Sequence, residues 1–257
     1  MIAIVLAAGY ATRLGALTKD KPKALLDIGG GTILDHILVK IREVGAVTAT
    51  VIVSNAKFHK QFIEWKEAAG ADVVVLNDGT DTEETRKGAI GDILFTIEEL
   101  NIDEDILVIA GDNLFTFSLA DYYDFFKRED ADCVAVKKEP DISALRRFGV
   151  ALVGPDNSVL DFEEKPPEPK SDLAVYAVYF YKRETVPMFR IYLDEDNQKD
   201  APGYFPAWLS KKKRVAAYAF NGECVDIGTP DEYWRIKNQY AKNQNTKNQN
   251  TKNQNTP

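Results

Sequence analysis

The sequence has few of the residues on which disulfide frameworks and zinc sites depend. Only two cysteines and two histidines occur among its 257 residues. Cys133 and Cys224 lie in apolar surroundings, where buried, reduced thiols are the usual state. His36 and His59 fall in predicted helices without acidic or cysteine partners. We therefore interpret all four residues as structural or surface residues.

Long hydrophobic runs and a positive net charge are also missing. No run approaches the ~18 apolar residues of a membrane-spanning helix, and Ile2–Leu6 is too short for a signal peptide. We therefore expect a cytoplasmic protein without a membrane anchor. The formal charge of −8 argues against general nucleic-acid or membrane-surface binding. It leaves anionic ligands possible, because local cations can reverse the field inside a cleft.

Hydrophobic residues make up 45% of the chain, enough for a full core. Its first half alternates between two hydrophobic periodicities. Strands are predicted at 2–6, 48–53, 73–76, 105–110 and 131–136, and helices at 32–43, 57–68, 84–100 and 119–128. This order predicts a mainly parallel sheet with helices on both faces. Ligands of such sheets lie beyond the carboxyl ends of the strands, so the loops after Leu6, Val53, Leu76 and Ala110 should meet in one cleft.

The second half is predicted to extend the same sheet. It contains a hairpin at 149–162, an aromatic strand at 173–181, helices at 184–194, 206–212 and 230–242, and short strands at 215–220 and 223–227. We expect one domain over residues 1–241, with halves at 1–136 and 137–241. Residues 242–257 repeat Lys-Asn-Gln-Asn-Thr without any apolar residue, which predicts a mobile appendage without a catalytic role.

The opening stretch has the composition of a phosphate-binding loop. The buried strand Ile2–Leu6 runs into Ala7, Ala8 and Gly9, which let a backbone approach a ligand closely. Two threonines and four cations follow, at Thr12, Arg13, Thr18, Lys19, Lys21 and Lys23. An ordinary loop with a solvated basic rim remains an alternative. The spacing matches neither the P-loop nor the dinucleotide-binding motif.

The same stretch resembles the signature of the sugar-1-phosphate nucleotidylyltransferases, L-A-[AG]-G-x-G-T-R-L-x-P-L-T-x-x-x-P-K-x-L. It matches at Leu6–Leu14, at Leu17-Thr18 and at Pro22–Leu25. Ala11 replaces the glycine before Thr-Arg, and Ala16 replaces the proline before Leu-Thr. An alanine at position 11 is mild if its φ is negative and unfavourable if its φ is positive.

Further segments resemble motifs of this family. They are Gly111-Asp112-Asn113, Phe148-Gly149-Val150, Glu163-Glu164-Lys165-Pro166, the strand 173–181 and Cys224–Pro230. Taken singly, Gly111-Asp112-Asn113 could be an Asx turn, Glu163–Pro166 a solvated charge cluster, and Thr229-Pro230 a helix cap. The resemblance weakens in three places. Tyr176 and Ala177 replace threonine and glycine and add bulk where the sugar should lie, Cys224 replaces tryptophan, and Gly88-Ala89 matches the base-reading segment only loosely.

The resemblance implies a three-layer α/β/α fold with a Rossmann-like, mostly parallel sheet. It also implies roles for single residues. Arg13 and Lys23 would hold nucleotide phosphates and departing pyrophosphate, and Lys165 the sugar phosphate. Leu6, Ala7, Ala8, Gly9, Gly88 and Asp112 would line the nucleotide site; Gly149, Glu164, Lys165 and Val175 would line the sugar-phosphate site; and Asp112 and Asp226 would bind Mg²⁺.

The implied reaction joins an NTP and a sugar-1-phosphate to give an NDP-sugar and pyrophosphate. The resemblance is closest to the branch that uses dTTP and glucose-1-phosphate. One alternative is a cytidylyltransferase for phosphocholine or another phosphoalcohol, with Tyr176, Tyr179 and Tyr181 as an aromatic cage. Another is a regulatory paralogue that binds nucleotide sugars without turnover. The expected partners are these small molecules, and homo-oligomers are common in the family.

Overall fold

The computed structural model describes residues 1–241, in which a mixed sheet separates two layers of helices. The strands are β1 Ile2–Leu6, β2 Ala49–Ser54, β3 Val74–Asn77, β4 Ile106–Ala110, β5 Asn113–Phe115, β6 Asp132–Lys138, β7 Gly149–Val153, β8 Val159–Glu164, β9 Leu173–Tyr181, β10 Val215–Ala219 and β11 Cys224–Asp226. The main sheet has the order β10-β6-β9-β4-β1-β2-β3, and the β7–β8 hairpin pairs with β9. Only β9 runs antiparallel to its neighbours along this path, β4 and β6. The predicted fold class and the extension of the sheet by the second half are confirmed.

Helices cover both faces of this sheet. They are α1 Ile33–Ile41, α2 His59–Ala69, α3 Ala89–Glu99, α4 Leu119–Glu129, α5 Ile142–Leu145, α6 Met188–Asp194, α7 Tyr204–Leu209 and α8, residues 230–241. Successive strand residues point to opposite faces, so Ala3 and Val5 join the core under α1, α2, α4 and α8, whereas Ile4 joins the core under α3, α6 and α7. No helix in residues 1–241 combines the length and apolar character needed to cross a bilayer.

The two largest differences from the predicted helix boundaries lie at the starts of α3 and α6. The helix predicted from residue 84 begins only at Ala89, because Gly88 has a φ of 80° and residues 84–88 belong to a loop. The segment predicted as one helix from residue 184 is a 3-10 turn, Arg183–Thr185, followed by α6 after Pro187. The short elements β5 and α5 were not predicted. The repeats at 242–257 lie outside the described residues.

The cysteines and histidines have the structural roles expected of them. Both thiols are buried and free. A ring nitrogen of His36 lies 2.9 Å from the Ile28 carbonyl oxygen, and His59 Nδ1 lies 3.0 Å from Ser54 Oγ. These contacts tie α1 to the loop before it and α2 to the end of β2.

The ends of the central strands are fastened to one another. The Gly111 amide donates to the Leu6 carbonyl over 2.8 Å, and the Ala7 amide donates to the Val53 carbonyl over 2.9 Å. A Cβ at position 111 would lie 2.7 Å from the Leu6 oxygen, closer than atoms pack, so only glycine fits there. The loops after β1 and β4 consequently leave the sheet side by side.

A second ladder carries the C-terminal part of the fold to the same edge. β11 pairs antiparallel with β5, which places Asp226 opposite Asn113. Helix α8 follows and packs on the loop after Lys23: Tyr233 donates to the Asp27 carbonyl over 3.1 Å, and Lys237 lies 2.7 Å from the Asp27 carboxylate. This packing links the segment that carries Asp226 to the segment that carries Lys23.

Gly29 allows α8 to approach that loop. Its φ is 56°, and a Cβ built there would lie 2.8 Å from Tyr240 Cβ and 3.0 Å from the Tyr240 backbone carbon. Gly29→Ala should therefore add left-handed strain of about 1 kcal/mol to overpacking of about 1–3 kcal/mol. Chemical unfolding should show the sum as a lower free energy of unfolding.

Gly70→Ala is the matched control for this substitution. Gly70 has a φ of 57°, but no atom lies within 4 Å of a Cβ built there. The Gly70→Ala variant should therefore lose only about 1 kcal/mol of its free energy of unfolding, from the left-handed strain. Equal losses in the two variants would mean that the contact with α8 adds nothing to stability.

Candidate active site

One ammonium group lies between two carboxylates that are distant in sequence. Lys23 Nζ is 2.7 Å from Asp112 Oδ2 and 2.9 Å from Asp226 Oδ1. Lys23 is carried by a 3-10 turn, Lys23–Leu25, that begins after Pro22; Asp112 follows Gly111, and Asp226 ends β11. The structure thus brings together three of the residues assigned by the resemblance.

The electrostatics of this trio favour a charged lysine. Burial lowers the pKa of Lys23, but the ion pairs with Asp112 and Asp226 outweigh burial and raise it overall. Burial and the nearby Asp112 carboxylate raise the pKa of Asp226, and Lys23 opposes that rise. Each carboxylate would repel the other without the cation, so the trio depends on a positive charge at its centre.

A cavity of about 360 Å³ opens beside the trio. Its lining includes Leu6, Ala7, Ala8, Gly9, Arg13, Lys23, Gly88 and Asp112, which are the residues predicted for the nucleotide site together with two predicted phosphate-binding cations. The loop after β3 contributes through Glu83 and Arg86. The expectation that the loop after β2 also lines the cleft is wrong: it lies behind the wall, where Asn55 donates to the Ala8 carbonyl over 2.8 Å.

The loop after β1 contains backbone strain. Ala11 has φ 48° and ψ 40°, the left-handed conformation that favours glycine. Its carbonyl accepts hydrogen bonds from the Leu14 amide and the Thr18 hydroxyl, which hold the turn closed. The alanine that replaces the family's glycine therefore has the unfavourable positive φ, which costs about 1 kcal/mol relative to glycine.

A second cavity of about 270 Å³ continues the cleft. Gly149, Glu164, Lys165 and Val175, the residues predicted for the sugar-phosphate site, line it together with Asp226. Arg13 and Asp112 line both cavities. The two cavities thus meet at the trio, with cations and carboxylates at the junction.

Glu164 is a largely buried acid that two glycines accommodate. Burial raises its pKa, which the neighbouring Lys165 lowers in part; their charged atoms are 3.8 Å apart. A Cβ at Gly149 would lie 2.9 Å from Glu164 Oε2, and a Cβ at Gly203 would overlap that oxygen. Lys165 itself has a φ of 51°, which turns the chain sharply after β8. An acceptor carboxylate and a cation therefore face the same small cavity.

The three tyrosines considered as an aromatic cage do not form one. Tyr181 is buried against Phe189 and Phe205 on the α6–α7 side of the sheet, away from the second cavity. Tyr176 lines that cavity with Phe148, at a ring-centroid distance of 5.3 Å. The cage hypothesis in its three-tyrosine form is wrong, and Tyr176 is a wall of the cavity.

Several residues that line the cavities were not predicted from the sequence. They are Tyr10, Glu83, Arg86, Asp92, Arg147, Asp200, Pro202 and Gly203. One of them left a signal, because Asp92 is an acid among apolar residues in the first turn of α3. The loop at residues 195–203 carries no sequence signal of a role in the cleft. It reaches the cleft by folding over the start of α3, where the Ile90 amide donates to the Lys199 carbonyl over 3.0 Å and Arg86 Nε lies 3.2 Å from Asp200 Oδ1.

The chain resembles known nucleotidyl transferases. The family model for nucleotidyl transferases matches residues 2–243. A UTP–glucose-1-phosphate uridylyltransferase from Haloferax volcanii is 32% identical over 184 residues, 70% of this chain and 72% of that protein. A glucose-1-phosphate adenylyltransferase from Fusobacterium nucleatum is 31% identical over 258 residues, 91% of this chain and 65% of that protein.

Solved structures share the fold. A structure from Bacillus anthracis assigned as a glucose-1-phosphate thymidylyltransferase, in complex with a sucrose, superposes with a TM-score of 0.79 at 22% identity, covering 94% of this chain and 96% of the other. A UDP-glucose pyrophosphorylase with UDP-glucose superposes with a TM-score of 0.77 at 22% identity, covering 94% and 98%.

The chain is shorter than the curated adenylyltransferases that it matches. It spans 58% of the length of the enzyme from Lachnospira eligens, at 28% identity, and 65% of that from Bacillus subtilis. The family match nevertheless covers nearly all of residues 1–241. The chain therefore belongs to the nucleotidyl transferase family, among the sugar-1-phosphate nucleotidylyltransferases.

Proposed function

We propose that this chain transfers a nucleotidyl group from an NTP to a sugar-1-phosphate and releases pyrophosphate. The observation that supports it best is the convergence of Lys23, Asp112 and Asp226 where the two cavities meet. Glucose-1-phosphate is the proposed acceptor, because it appears in the names of the adenylyl-, uridylyl- and thymidylyltransferases that resemble the chain. The sequence resemblance favours dTTP as the donor.

The proposed reaction is an in-line displacement. An oxygen of the sugar phosphate attacks the α-phosphorus, a new P–O bond forms, and the bond to the β-phosphate oxygen breaks as pyrophosphate leaves. Two anions must meet, so positioning and charge neutralisation are the main tasks of the protein. The attacking phosphate is ionised at neutral pH and requires no general base.

The residues of the cleft suit these tasks. Arg13 and Lys23 are proposed to hold the nucleotide phosphates and the departing pyrophosphate, and Lys165 the sugar phosphate. Glu164 is proposed to accept a hydroxyl of the sugar. Residues 1–136 would then supply most of the nucleotide side of the cleft, and residues 137–241 most of the sugar side.

Mg²⁺ is the proposed cofactor, held by Asp112 and Asp226. Both carboxylates lie within 3 Å of one ammonium nitrogen, so they can share a single cation. Among the described residues no group of three or more His, Cys, Asp or Glu side chains forms a metal cluster. Two carboxylates suit Mg²⁺, which binds few protein ligands and completes its shell with water and phosphate oxygens. When bound, it would neutralise charge that develops on the phosphates.

The alternatives have less support. A regulatory paralogue has no need for Arg13, Lys23 and both carboxylates at one junction. A phosphocholine site loses its three-tyrosine cage, since Tyr181 lies in the core. A cytoplasmic setting and a homo-oligomeric state stay predictions.

Pyrophosphate release should report the proposed activity directly. The chain should be incubated with Mg²⁺, one of five NTPs (ATP, GTP, CTP, UTP or dTTP) and one of several sugar-1-phosphates or phosphocholine. We expect release that requires both substrates and is abolished by chelation of the metal. Release with phosphocholine alone among the acceptors would contradict the proposed acceptor class.

Lys165→Ala should weaken use of the sugar phosphate more than use of the NTP. Removal of one positioned charge typically lowers the rate by roughly 10²–10³-fold, and we expect that loss in kcat/KM for the sugar-1-phosphate. Lys170→Ala is the control, because Lys170 contacts Asp161 and Glu163 and lines neither cavity of the cleft. Wild-type kinetics of the Lys165 variant would remove this residue from the mechanism.

Gly203→Ala should test the role of Glu164 without changing that residue. The added methyl would overlap Glu164 Oε2 and force the carboxylate to turn. Loss of one hydrogen bond to a charged group should lower kcat/KM for the sugar-1-phosphate roughly 10- to 100-fold and leave the KM for NTP nearly unchanged. The control is Gly45→Ala, where no atom lies within 4 Å of the new methyl. An unchanged acceptor constant in the Gly203 variant would exclude Glu164 from acceptor binding.

A further inference from the structure

The first cavity contains a buried carboxyl group for which the proposed mechanism has no use. Asp92 lies in the first turn of α3, lines this cavity and is only 6% exposed. Its Oδ1 receives no hydrogen bond from the protein in the described part of the chain. The Asp92 carboxyl therefore does not cap its own helix, the ordinary use of an acid in a first turn.

The neighbours of Asp92 make its ionisation unfavourable. Burial raises its pKa to about 8, with contributions from the Asp78 charge and from a hydrogen bond between the two carboxyls; only Lys87 opposes the rise. Asp78 is buried too, and its Oδ1 is held by the Thr80 amide at 2.7 Å and the Thr80 hydroxyl at 2.8 Å. Tyr10 completes the cluster, with its hydroxyl 3.3 Å from Thr80 Oγ1.

This cluster differs in character from the cationic part of the same cavity. Arg13 and Lys23 suit phosphates, whereas the carboxyls of Asp92 and Asp78 offer no positive charge to neutralise them. Small or apolar residues also line this cavity, among them Leu6, Ala8 and Ala89. An uncharged, flat ligand group with an N–H donor would suit the part of the cavity that the Asp92 carboxyl lines.

We propose that Asp92 is the residue that reads the nucleobase, its carboxyl oxygen accepting a hydrogen bond from an N–H group on the base edge. This inference rests on the proposed function. Every common base carries such a donor, either an exocyclic amino group or a ring imide N–H. The carboxyl position then selects among bases by where that donor lies, and Asp78 fixes the carboxyl from behind.

Asp92 should make the stability of the fold depend on pH, with lower stability at neutral and alkaline pH than at acidic pH. The folded pKa of about 8 exceeds the usual aspartate value, so the folded state binds the proton more tightly than the unfolded state. Stability from this group is complete below about pH 4 and declines as the pH rises towards 8. Asp92→Asn keeps the shape of the neutral acid and does not titrate.

The melting temperatures of wild type and Asp92→Asn should therefore diverge with pH. We expect similar values near pH 4, and above pH 7 a value several degrees higher for the variant. Differential scanning calorimetry across this range would measure the gap. A gap that stays constant with pH would mean that Asp92 is ionised without penalty, which would contradict a buried, neutral acceptor.

Donor selectivity is the decisive measurement. The kcat/KM for ATP, GTP, CTP, UTP and dTTP should be compared for wild type, Asp92→Ala, Asp92→Asn and Thr96→Val. Asp92→Ala should lose roughly 10- to 100-fold for the preferred NTP and should flatten the ranking of the five. Asp92→Asn retains an acceptor oxygen and can donate to Asp78, so it should recover most of that loss.

Two controls separate the base from the rest of the nucleotide. Thr96 is a buried residue one turn further along α3; its hydroxyl donates to the Asp92 carbonyl over 2.7 Å, and it lines neither cavity. The Thr96→Val variant should therefore keep the wild-type NTP ranking. Inhibition by tripolyphosphate reports the phosphate end alone and should be equal in Asp92→Ala and wild type.

The outcomes distinguish the two proposals. If wild type releases pyrophosphate and Asp92→Ala keeps the wild-type NTP ranking, base reading by Asp92 is wrong and the proposed function stands. An equal loss for all five NTPs would instead place the Asp92 carboxyl on the ribose, which also overturns the inference. If wild type acts on none of the five, both proposals are wrong.

Discussion

The cleft depends on one shared cation. Lys23 Nζ holds the carboxylates of Asp112 and Asp226 within 3 Å of a single point. Those side chains belong to segments that meet only because β11 pairs with β5 and α8 packs on the loop after Lys23. Two carboxylates at this separation repel each other unless a positive charge lies between them. The charge of Lys23 thus fastens the two halves of the molecule where the substrates are proposed to meet.

The same arrangement explains why the cleft lies at this edge of the sheet. β1 and β4 are parallel neighbours, and the Gly111–Leu6 hydrogen bond makes their loops leave together. β9 runs antiparallel to both β4 and β6, and the β7–β8 hairpin pairs with β9 and lines the second cavity. The antiparallel strand therefore brings Glu164 and Lys165 to the edge of the sheet where the loops after β1 and β4 lie, the edge proposed to bind the nucleotide.

Much of this could be read from the sequence, because its signals are local. Hydrophobic periodicity identified the long strands and helices, and contiguous motifs identified Lys23, Asp112, Glu164 and Lys165. Contacts that depend on tertiary packing could not be read in this way. Gly88, with its φ of 80°, delays the start of the predicted helix to Ala89, and Asp200 reaches the cleft from a loop whose composition is merely polar. Ala11 shows that even a matched motif leaves the backbone conformation open, since the sequence does not give the sign of the φ angle at this residue.

Two unfavourable local features of the fold lie in the cleft. Ala11 is strained in the loop after β1, and Asp92 is buried with an oxygen that no donor in residues 1–241 satisfies. A buried acid elsewhere is treated differently: Asp132 receives the Lys182 amide, the Thr185 hydroxyl and the Lys213 ammonium within 2.9 Å. The fold can therefore satisfy a buried carboxylate where structure is the purpose. Asp92 lines the cleft and lacks such partners among the described residues, which is why we propose that a ligand supplies one.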